Sequence, residues 1–441
     1  MYRYRIGVQM AGKIYSLLLR RSPQAEASLP EDVQRDVPAN GLRIVAASAL
    51  QSTGDQTMNA STVLPWLFHA LGVPPALIGV LVPIRESLSM LPQALLTPWV
   101  VRVRHRKWVF AGGALVQALA VAGMALTAAV GRGLAAGVAI IVALAVFALG
   151  RCLTSIASKD VQGRTIPKGE RGQINGLATT AAGLVAITLG VLIRVLGGDD
   201  LSAGRIGWLL AGGAVLWVLS AVVIARVREP EPSAAPVGRR RAGALALLRE
   251  DAEFRRFVAV RSFLLVSALS PPFVVTLSVA MGDQSLAGLG GFIVASGVAA
   301  LLGGRIFGRA ADRSSRALMS GGAVAASGVI VVLVVVVAWP GFDGTTWWGA
   351  AVFVGTYFLL TLLHTGVRVG RKTYVVDMAE GDLRTRYVAV SNSAMGVILL
   401  VVGGISSLLA LAGVTWALLF LAALGVVGAV AGRSLRDVSR G

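Results

Sequence analysis

The sequence predicts an all-α polytopic membrane protein, with twelve transmembrane helices in two pseudo-symmetric six-helix bundles. Three observations carry this reading. Hydrophobic residues make up 55% of the 441 residues and charged residues 14%, against about 25% charged in an ordinary soluble chain. The apolar residues fall in runs of about 20, the length a helix needs to cross the hydrocarbon core. The basic residues sit almost entirely on alternate connections between those runs.

The runs, taken as spans 1 to 12, lie at 42–68, 75–101, 108–130, 133–157, 172–197, 206–226, 256–281, 285–308, 317–338, 346–369, 386–411 and 414–432. Before span 1, residues 1–40 form an N-terminal segment. Within it Ile6–Leu19, followed by Arg20-Arg21, suits a basic helix lying on a membrane surface. No signal-peptide architecture is present there. Spans 1–6 form a first bundle, 41–227. A Pro-rich, charged linker follows at 228–254, with Glu229-Pro230-Glu231-Pro232 and Arg239-Arg240-Arg241. Spans 7–12 form a second bundle, 255–434, and 435–441 is a short tail. Cys152, the single cysteine, reads as a small core residue.

With the N-terminus placed in the cytoplasm, 35 of the 41 Lys and Arg residues fall on one side of the membrane and only Arg132, Arg194 and Arg205 on the other. This asymmetry puts both termini in the cytoplasm, as expected of a multi-pass protein of a bacterial inner membrane. The net charge of +19 is then a belt facing membrane lipids rather than a surface for nucleic acid. The halves also repeat. Lys159, Arg171 and Gly183 recur as Lys372, Arg384 and Gly396, each 213 residues on, and Arg43-Ile-Val-Ala recurs as Arg256-Phe-Val-Ala. Two six-helix halves in one orientation are the parallel repeat of a rocking transporter.

Charge at mid-bilayer costs roughly 2.5–3.5 kcal/mol per residue even on the lenient insertion scale, so its placement is informative. Ser48, Gln51, Asp55, Asn59 and Thr62 share one face of span 1 at helical spacing. Span 2 places Arg85 and Glu86 at a similar depth, with Ser89 and Gln93 continuing the Arg85 face. Adjacent residues point about 100° apart, so Arg85 is expected to pair with Asp55 or Glu86 across the span 1–span 2 contact. Such a pair is either a structural tie or a coupling site, one carboxylate taking a proton when the arginine moves away. Arg85 is alternatively a ligand for a solute carboxylate or phosphate.

Span 7 carries Arg261, Ser267, Ser270 and Pro271-Pro272, and the prolines break the helix either beside a binding site or as a gating kink. Tyr357, Thr361, His364 and Arg368 share one face of span 10, where His364 is a proton carrier or a hydrogen-bonded bundle residue. Arg151 on span 4 is its counterpart in the repeat. Span 5 has Gly176, Gly183, Gly190 and Gly197, one every seven residues, a seam for close helix packing.

After span 8 the chain reads Gly308-Arg309-Ala310-Ala311-Asp312-Arg313-Ser314-Ser315-Arg316. After span 2 a degenerate copy keeps the basic cluster, with Pro98 in place of the glycine and Arg102 in place of the aspartate. In this motif and its placement the sequence resembles the major facilitator superfamily. Stretches 81–87, 157–161 and 371–378 look like a bacterial permease subgroup of unassigned substrate.

The resemblance implies that spans 1, 4, 7 and 10 line a central cavity and that spans 3, 6, 9 and 12 lie outermost. It implies that Gly308, Asp312, Arg313 and Arg316 latch a cytoplasmic gate. The family's antiporter signature is absent from span 5.

No Walker loop, dinucleotide fingerprint, metal-ligand spacing or nucleophile set is present, so neither enzyme nor cofactor nor metal is expected. The expected function is secondary active transport of a small organic solute by alternating access, coupled to protons, by a monomer. Asp55, Glu86, Arg85 and His364 are the candidate coupling residues. Gln51, Asn59, Arg151, Ser267, Ser270, Tyr357 and Thr361 are candidates for the substrate cavity. The degenerate first latch leaves a rival: a non-transporting assembly or lipid-handling protein on the same scaffold.

Overall fold

The structure, a computed structural model, describes residues 12–13, 15–18, 31–167, 170–196, 202–230, 248–282, 286–378 and 381–436. Among them the regular structure is helical. The first half contains α1 (Val37–Thr57), α2 (Val63–Ala70), a 3₁₀ turn Pro75–Val80, α3 (Leu81–Met90), α4 (Gln93–Arg102), α5 (Arg106–Val130), α6 (Gly133–Thr165), α7 (Arg171–Leu196) and α8 (Ala203–Ala225). The second contains α9 (Ala252–Phe263), α10 (Val266–Leu269), α11 (Pro271–Ala280), α12 (Leu286–Arg313), α13 (Ser315–Val337), α14 (Trp347–Asp377), α15 (Gly381–Ala412) and α16 (Val414–Gly432). Eight helical stretches among the described residues are long and apolar enough to cross a membrane: α5, α6, α8, α9 through α11 taken together, α13, the Trp347–Arg371 part of α14, the Val390–Ala412 part of α15, and α16.

The other four expected spans are also helical, and two of them are broken where the sequence reading had them continuous. Span 1 stops at Thr57, whose hydroxyl donates to the Gly54 carbonyl at 2.8 Å, and Asn59 Oδ1 accepts the Ser61 N–H at 2.8 Å. A side chain that caps its own backbone in this way competes with the helical ladder. Asn59 and Thr62 therefore leave the face on which Ser48, Gln51 and Asp55 lie, correcting the expected continuous stripe. Span 2 is divided at Pro92, which has no N–H to give its helix. Span 7 breaks at Pro271, as its proline pair requires, and again at Leu264-Leu265.

Several helices outrun their expected ends on the basic side, among them α6 to Thr165, α12 to Arg313, α14 to Asp377 and α15 from Gly381. Lys159, Arg368 and Arg371, counted with the loops on sequence, are helix residues.

Packing repeats in the two halves. In the first, α5 packs on α6 and α8, α8 on α1, α3 on α6 and α7 on α1. In the second, α13 packs on α14 and α16, α16 on α9 to α11, α12 on α14 and α15 on α9. The halves meet along α7 and α12, along α15 with Pro75–Val80 and α3, and where α11 touches α2. Glycine permits these approaches. Gly183 faces Leu301, Gly190 lies under Val294 and the Gly290 carbonyl, and a Cβ on Gly403 would overlap Pro83. Ser87 Oγ donates to the Gly396 carbonyl at 2.6 Å, tying α3 to α15. Outward, α5, α8, α13 and α16 expose Leu119, Trp208, Val332 and Val427, apolar surface suited to lipid.

On the basic side Asp251 starts α9 by accepting the Phe254 N–H at 2.9 Å, and the Tyr387 hydroxyl of α15 donates to its other oxygen. Desolvation pushes this carboxyl up, but these donors, with the charge of Arg255, hold it below the usual aspartate range. Its contribution is thus present above the ordinary carboxylate pKa and is lost as pH falls through the depressed folded value. Asp251→Ala is expected to cost about 1 kcal/mol near neutral pH, the worth of an N-cap. In thermal melts across acid pH, the gap to the wild type closes on acidification; a gap that widens would contradict the assignment.

Candidate functional site

A cavity of about 760 Å³ lies between the two halves. From the first half it is lined by Asn59 and Ser61 of the turn after α1, by Arg85, Glu86 and Ser89 of α3, and by Arg151, Ser155 and Lys159 of α6. The second half contributes Arg261, Ser267 and Pro271 around the broken span 7, Ser296 of α12, the Tyr357–Arg371 face of α14, and Asn392 of α15. Lys159, Arg371 and Asn392 belong to the basic-side ends of their helices, so the cavity runs from mid-bundle toward that side. At the opposite end an aromatic stack seals it. Trp66 of α2 packs on Phe292 of α12 at 6.4 Å, and Phe292 meets Tyr357 of α14 edge-on at 5.3 Å. All three rings are buried.

The first-half wall holds a chain of four charges. Arg151 Nη1 donates to both Asp55 oxygens, at 2.6 and 2.5 Å; Arg85 Nη2 lies 3.4 Å from Asp55 Oδ1; Arg85 Nη1 lies 2.7 Å from Glu86 Oε1. The sequence reading is corrected in two respects. Asp55 has Arg151 as its close partner and shares Arg85 at longer range. Arg85 also binds its own neighbour Glu86, because a long guanidinium stem folds back across the 100° that separates adjacent helical positions. Two arginines and two carboxylates thus balance within one half. With side-chain exposures of 17% for Asp55 and 18% for Arg85, against 33% for Arg151 and 31% for Glu86, water weakens these contacts less than at a surface.

Among the described residues the second half has no such balance. Arg261 is 8% exposed, and its guanidinium donates to Ser391 Oγ at 2.8 Å and Asn392 Oδ1 at 3.1 Å, both neutral. Its Nε and that of Arg371 are buried without a hydrogen-bond partner. Arg368 lines the same wall. His364 Nδ1 lies 3.5 Å from Ser267 Oγ.

Of the other sequence candidates, Asn59, Ser267, Tyr357 and Thr361 line the cavity. Gln51 does not; its amide nitrogen is buried without a partner. Ser270 turns away and donates to the Val266 carbonyl at 2.5 Å, easing the break in span 7. Of the expected latch, Gly308 lies within α12, the side chains of Asp312 and Arg313 lie outside the described residues, and Arg316 Nη1 donates to the Leu435 carbonyl at 3.0 Å.

The degenerate first copy holds its helices together through other partners. Arg106 Nε binds Asp160 at 2.7 Å, and the Lys107 N–H and Nζ reach Glu229 Oε1 and the Val227 carbonyl. Burial pushes the Glu229 carboxyl up from its usual range, opposed by the charge of Arg164 and by the Lys107 N–H.

Lys159, Ser296, Arg371 and Asn392 were missed as lining residues. The signal for Arg371 was present: it continues the spacing of Tyr357, Thr361, His364 and Arg368 by three more residues, but the span was drawn to end at 369. Among the described residues no three His, Cys, Asp or Glu side chains are placed to hold a metal.

Removing one member of a buried charge chain strands the other. Asp55→Asn and Arg151→Gln are each expected to cost about 2–4 kcal/mol in bilayer-mimetic unfolding, somewhat below a fully buried pair. The double variant should cost at least ~1 kcal/mol less than the sum; strict additivity would show that the pair is not energetically coupled.

A family model described as "Major Facilitator Superfamily" matches residues 45–363. Against curated protein sequences there is no significant match. Among solved structures, a D-xylose-proton symporter superposes with a TM-score of 0.70 at 11% identity, over 90% of this chain and 98% of that one. A POT family transporter bound to a thioalcohol-conjugated peptide gives 0.69 at 11% identity, over 92% and 98%. The nucleoside transporter NupG gives 0.64 at 13% identity, over 90% and 98%. At these identities the likeness is one of fold. With the family model spanning most of the chain, and the paired halves and apolar helices described above, this multi-pass membrane protein belongs to the major facilitator superfamily.

Proposed function

We propose that the protein is a secondary active transporter that moves a small organic solute by alternating access. The observation that carries this is the polar cavity between two similarly packed halves, sealed at one end by Trp66, Phe292 and Tyr357 and extending toward the basic side at the other. A buried cavity lined by paired and unpaired charges has no use in a merely structural bundle, where apolar packing would be cheaper. In this reading twelve helices cross the membrane, with bundles at 41–227 and 255–434 joined by the cytoplasmic linker. Both termini are cytoplasmic in a bacterial inner membrane, and the state described is the inward-facing one. The outward state requires α3 to part from α15 and α7 from α12 on the sealed side, with closure on the basic side.

Asp55 is the leading coupling site. Its carboxylate is balanced only while Arg151 and Arg85 hold it. Movement of α3 or α6 against α1 would remove that compensation and favour uptake of a proton in a site of low dielectric. Glu86, with a single arginine partner, is the second candidate. His364 lies on the facing wall without a carboxylate and is a weaker one. Each proton moved through 100 mV is worth about 2.3 kcal/mol, enough to bias the cycle.

In proteoliposomes loaded with a pH-sensitive dye, a transported solute should drive proton movement by the wild type. Asp55→Asn should reduce that movement to the level of empty vesicles while still exchanging the labelled solute across the bilayer at equal pH. Full proton movement in Asp55→Asn would eliminate Asp55 as the coupling site. No exchange of any solute by the folded wild type would eliminate the transporter reading.

A further inference from the structure

The charge of the cavity is divided unequally between its walls, and this points to the chemistry of the solute. Arg85, Arg151 and Lys159 line the first-half wall, where Asp55 and Glu86 answer the two arginines. Arg261, Arg368 and Arg371 line the second-half wall, and no described carboxylate forms an ion pair with any of them. The repeat makes the asymmetry sharper. The positions 213 residues beyond Asp55, Arg85 and Glu86 are Ala268, Val298 and Ala299, and that beyond Arg151 is His364, so the second half has neither carboxylate of the charge chain at the matching positions. The positions 213 residues before Arg261, Arg368 and Arg371 are Ser48, Ser155 and Ser158. Among the described residues lining the cavity, one half carries a closed set of charges and the other only cations.

Three arginines on one wall repel one another. Arg371 feels both Arg368 and, across the cavity, Glu86, and Arg261 feels Arg371. Glu86 is already bonded to Arg85 at 2.7 Å, so it answers little of this charge. Arg261 is more than nine-tenths buried with its Nε unpartnered, and its Nη1 and Nη2 each donate one bond to a neutral oxygen, of Ser391 and Asn392. Guanidinium groups are planar forks matched to carboxylate and phosphate oxygens, and desolvated charge-assisted bonds of this kind are strong.

We propose that the solute is an organic oxyanion, a carboxylate or a phosphate ester, whose charged group docks between Arg261 and Arg371, with Arg368 about one turn deeper in the cavity on the same helix. This inference rests on the transporter reading above and names the substrate class of its cavity. Ser267 and Thr361 offer hydroxyls for the remainder of the molecule, and the aromatic seal bounds its length. Arg261 also ties the start of span 7 to the start of span 11 through Ser391 and Asn392. An oxyanion arriving there competes for donors that hold two second-half helices together, so binding acts on elements that must move.

The test uses the purified full chain in nanodiscs, with thermal stability read against matched probe pairs at constant ionic strength. The pairs are succinate with succinamide and glucose 6-phosphate with glucose, with inorganic phosphate as a minimal anion. At least one anion should raise the melting temperature by several degrees while its neutral partner does not, and the succinate and glucose 6-phosphate arms separate carboxylate from phosphate. Arg371→Gln should weaken that anion's apparent affinity about tenfold, with partial recovery in Arg371→Lys, while the apo variant keeps the wild-type helical signal. Arg261→Gln should act in the same direction; if it does not fold, the Arg371 pair carries the test alone.

Equal stabilisation by neutral partners, no stabilisation by any of these anions, or an anion response unchanged in Arg371→Gln would each overturn the oxyanion site. The transporter reading fails separately. If the anion binds through Arg371 but neither it nor any other solute crosses the membrane in proteoliposomes, the site stands and transport does not. If a neutral solute is carried and no anion binds, transport stands and the site does not.

Discussion

A carboxylate inside a bilayer is tolerable only while something of opposite charge holds it, and this constraint organises the first half of the molecule. Asp55 sits in the last turn of α1, midway along span 1, with Arg151 of α6 on both of its oxygens and Arg85 of α3 within reach, and Glu86 completes the set. Three helices of one bundle are thereby tied at a single point. The tie is conditional, because the desolvation cost of each member is offset only by the others. Any motion that separates α3 or α6 from α1 must be accompanied by a proton, a solute or a counter-charge. A structural ion pair and a coupling device are the same object here, distinguished by whether the helices move.

Glycine determines where they can move. The halves touch through small residues, Gly183 and Gly190 of α7 against α12, and Gly79 and Gly396 or Gly403 between span 2 and α15. Such contacts are close but rest on dispersion and a few bonds to backbone, including Ser87 to the Gly396 carbonyl. Among the described residues they contain none of the buried ion pairs that tie the first half internally. The charged tie lies within the first half and not across the seams, which suits the rocking of bundles proposed above. The aromatic seal of Trp66, Phe292 and Tyr357 draws one ring from the first half and two from the second, so it too can part along the interface.

Much of this was legible in the sequence because membrane insertion imposes its own pattern. Hydropathy, the placement of basic residues and the 213-residue repeat led to the helical repeat, and the latch motif led to the family. Asp55, Arg85, Glu86, Arg151, Tyr357, Thr361 and His364 were found because polar side chains are costly where they stand. What was not legible depends on atoms beyond the residue pattern. The turn at 58–62 arises from Asn59 and Thr57 capping their own backbone, which apolar length cannot reveal. The partner of Asp55 was missed because Arg151 comes from a helix 96 residues away, and repeat arithmetic gave no hint of the contact. Arg371 was lost to a span drawn to end at 369, where hydropathy falls although the helix continues to Asp377. The basic belt inferred from charge counting therefore contained, unrecognised, part of the cavity wall.

Alternating access requires that the interface sealed in this structure open. It is tested most directly by a distance across the seal. With Cys152 replaced by Ala, spin labels at Pro75→Cys on the outer end of span 2 and Leu411→Cys on the outer end of α15 report that separation by pulsed electron resonance in nanodiscs. Alternating access predicts a short-distance population belonging to the sealed state and a second, longer one. Their ratio should shift with pH and with a bound solute, and Asp55→Asn should abolish the pH response. A single short distance, unmoved by pH or by solute under conditions where binding is independently measured, would contradict the account.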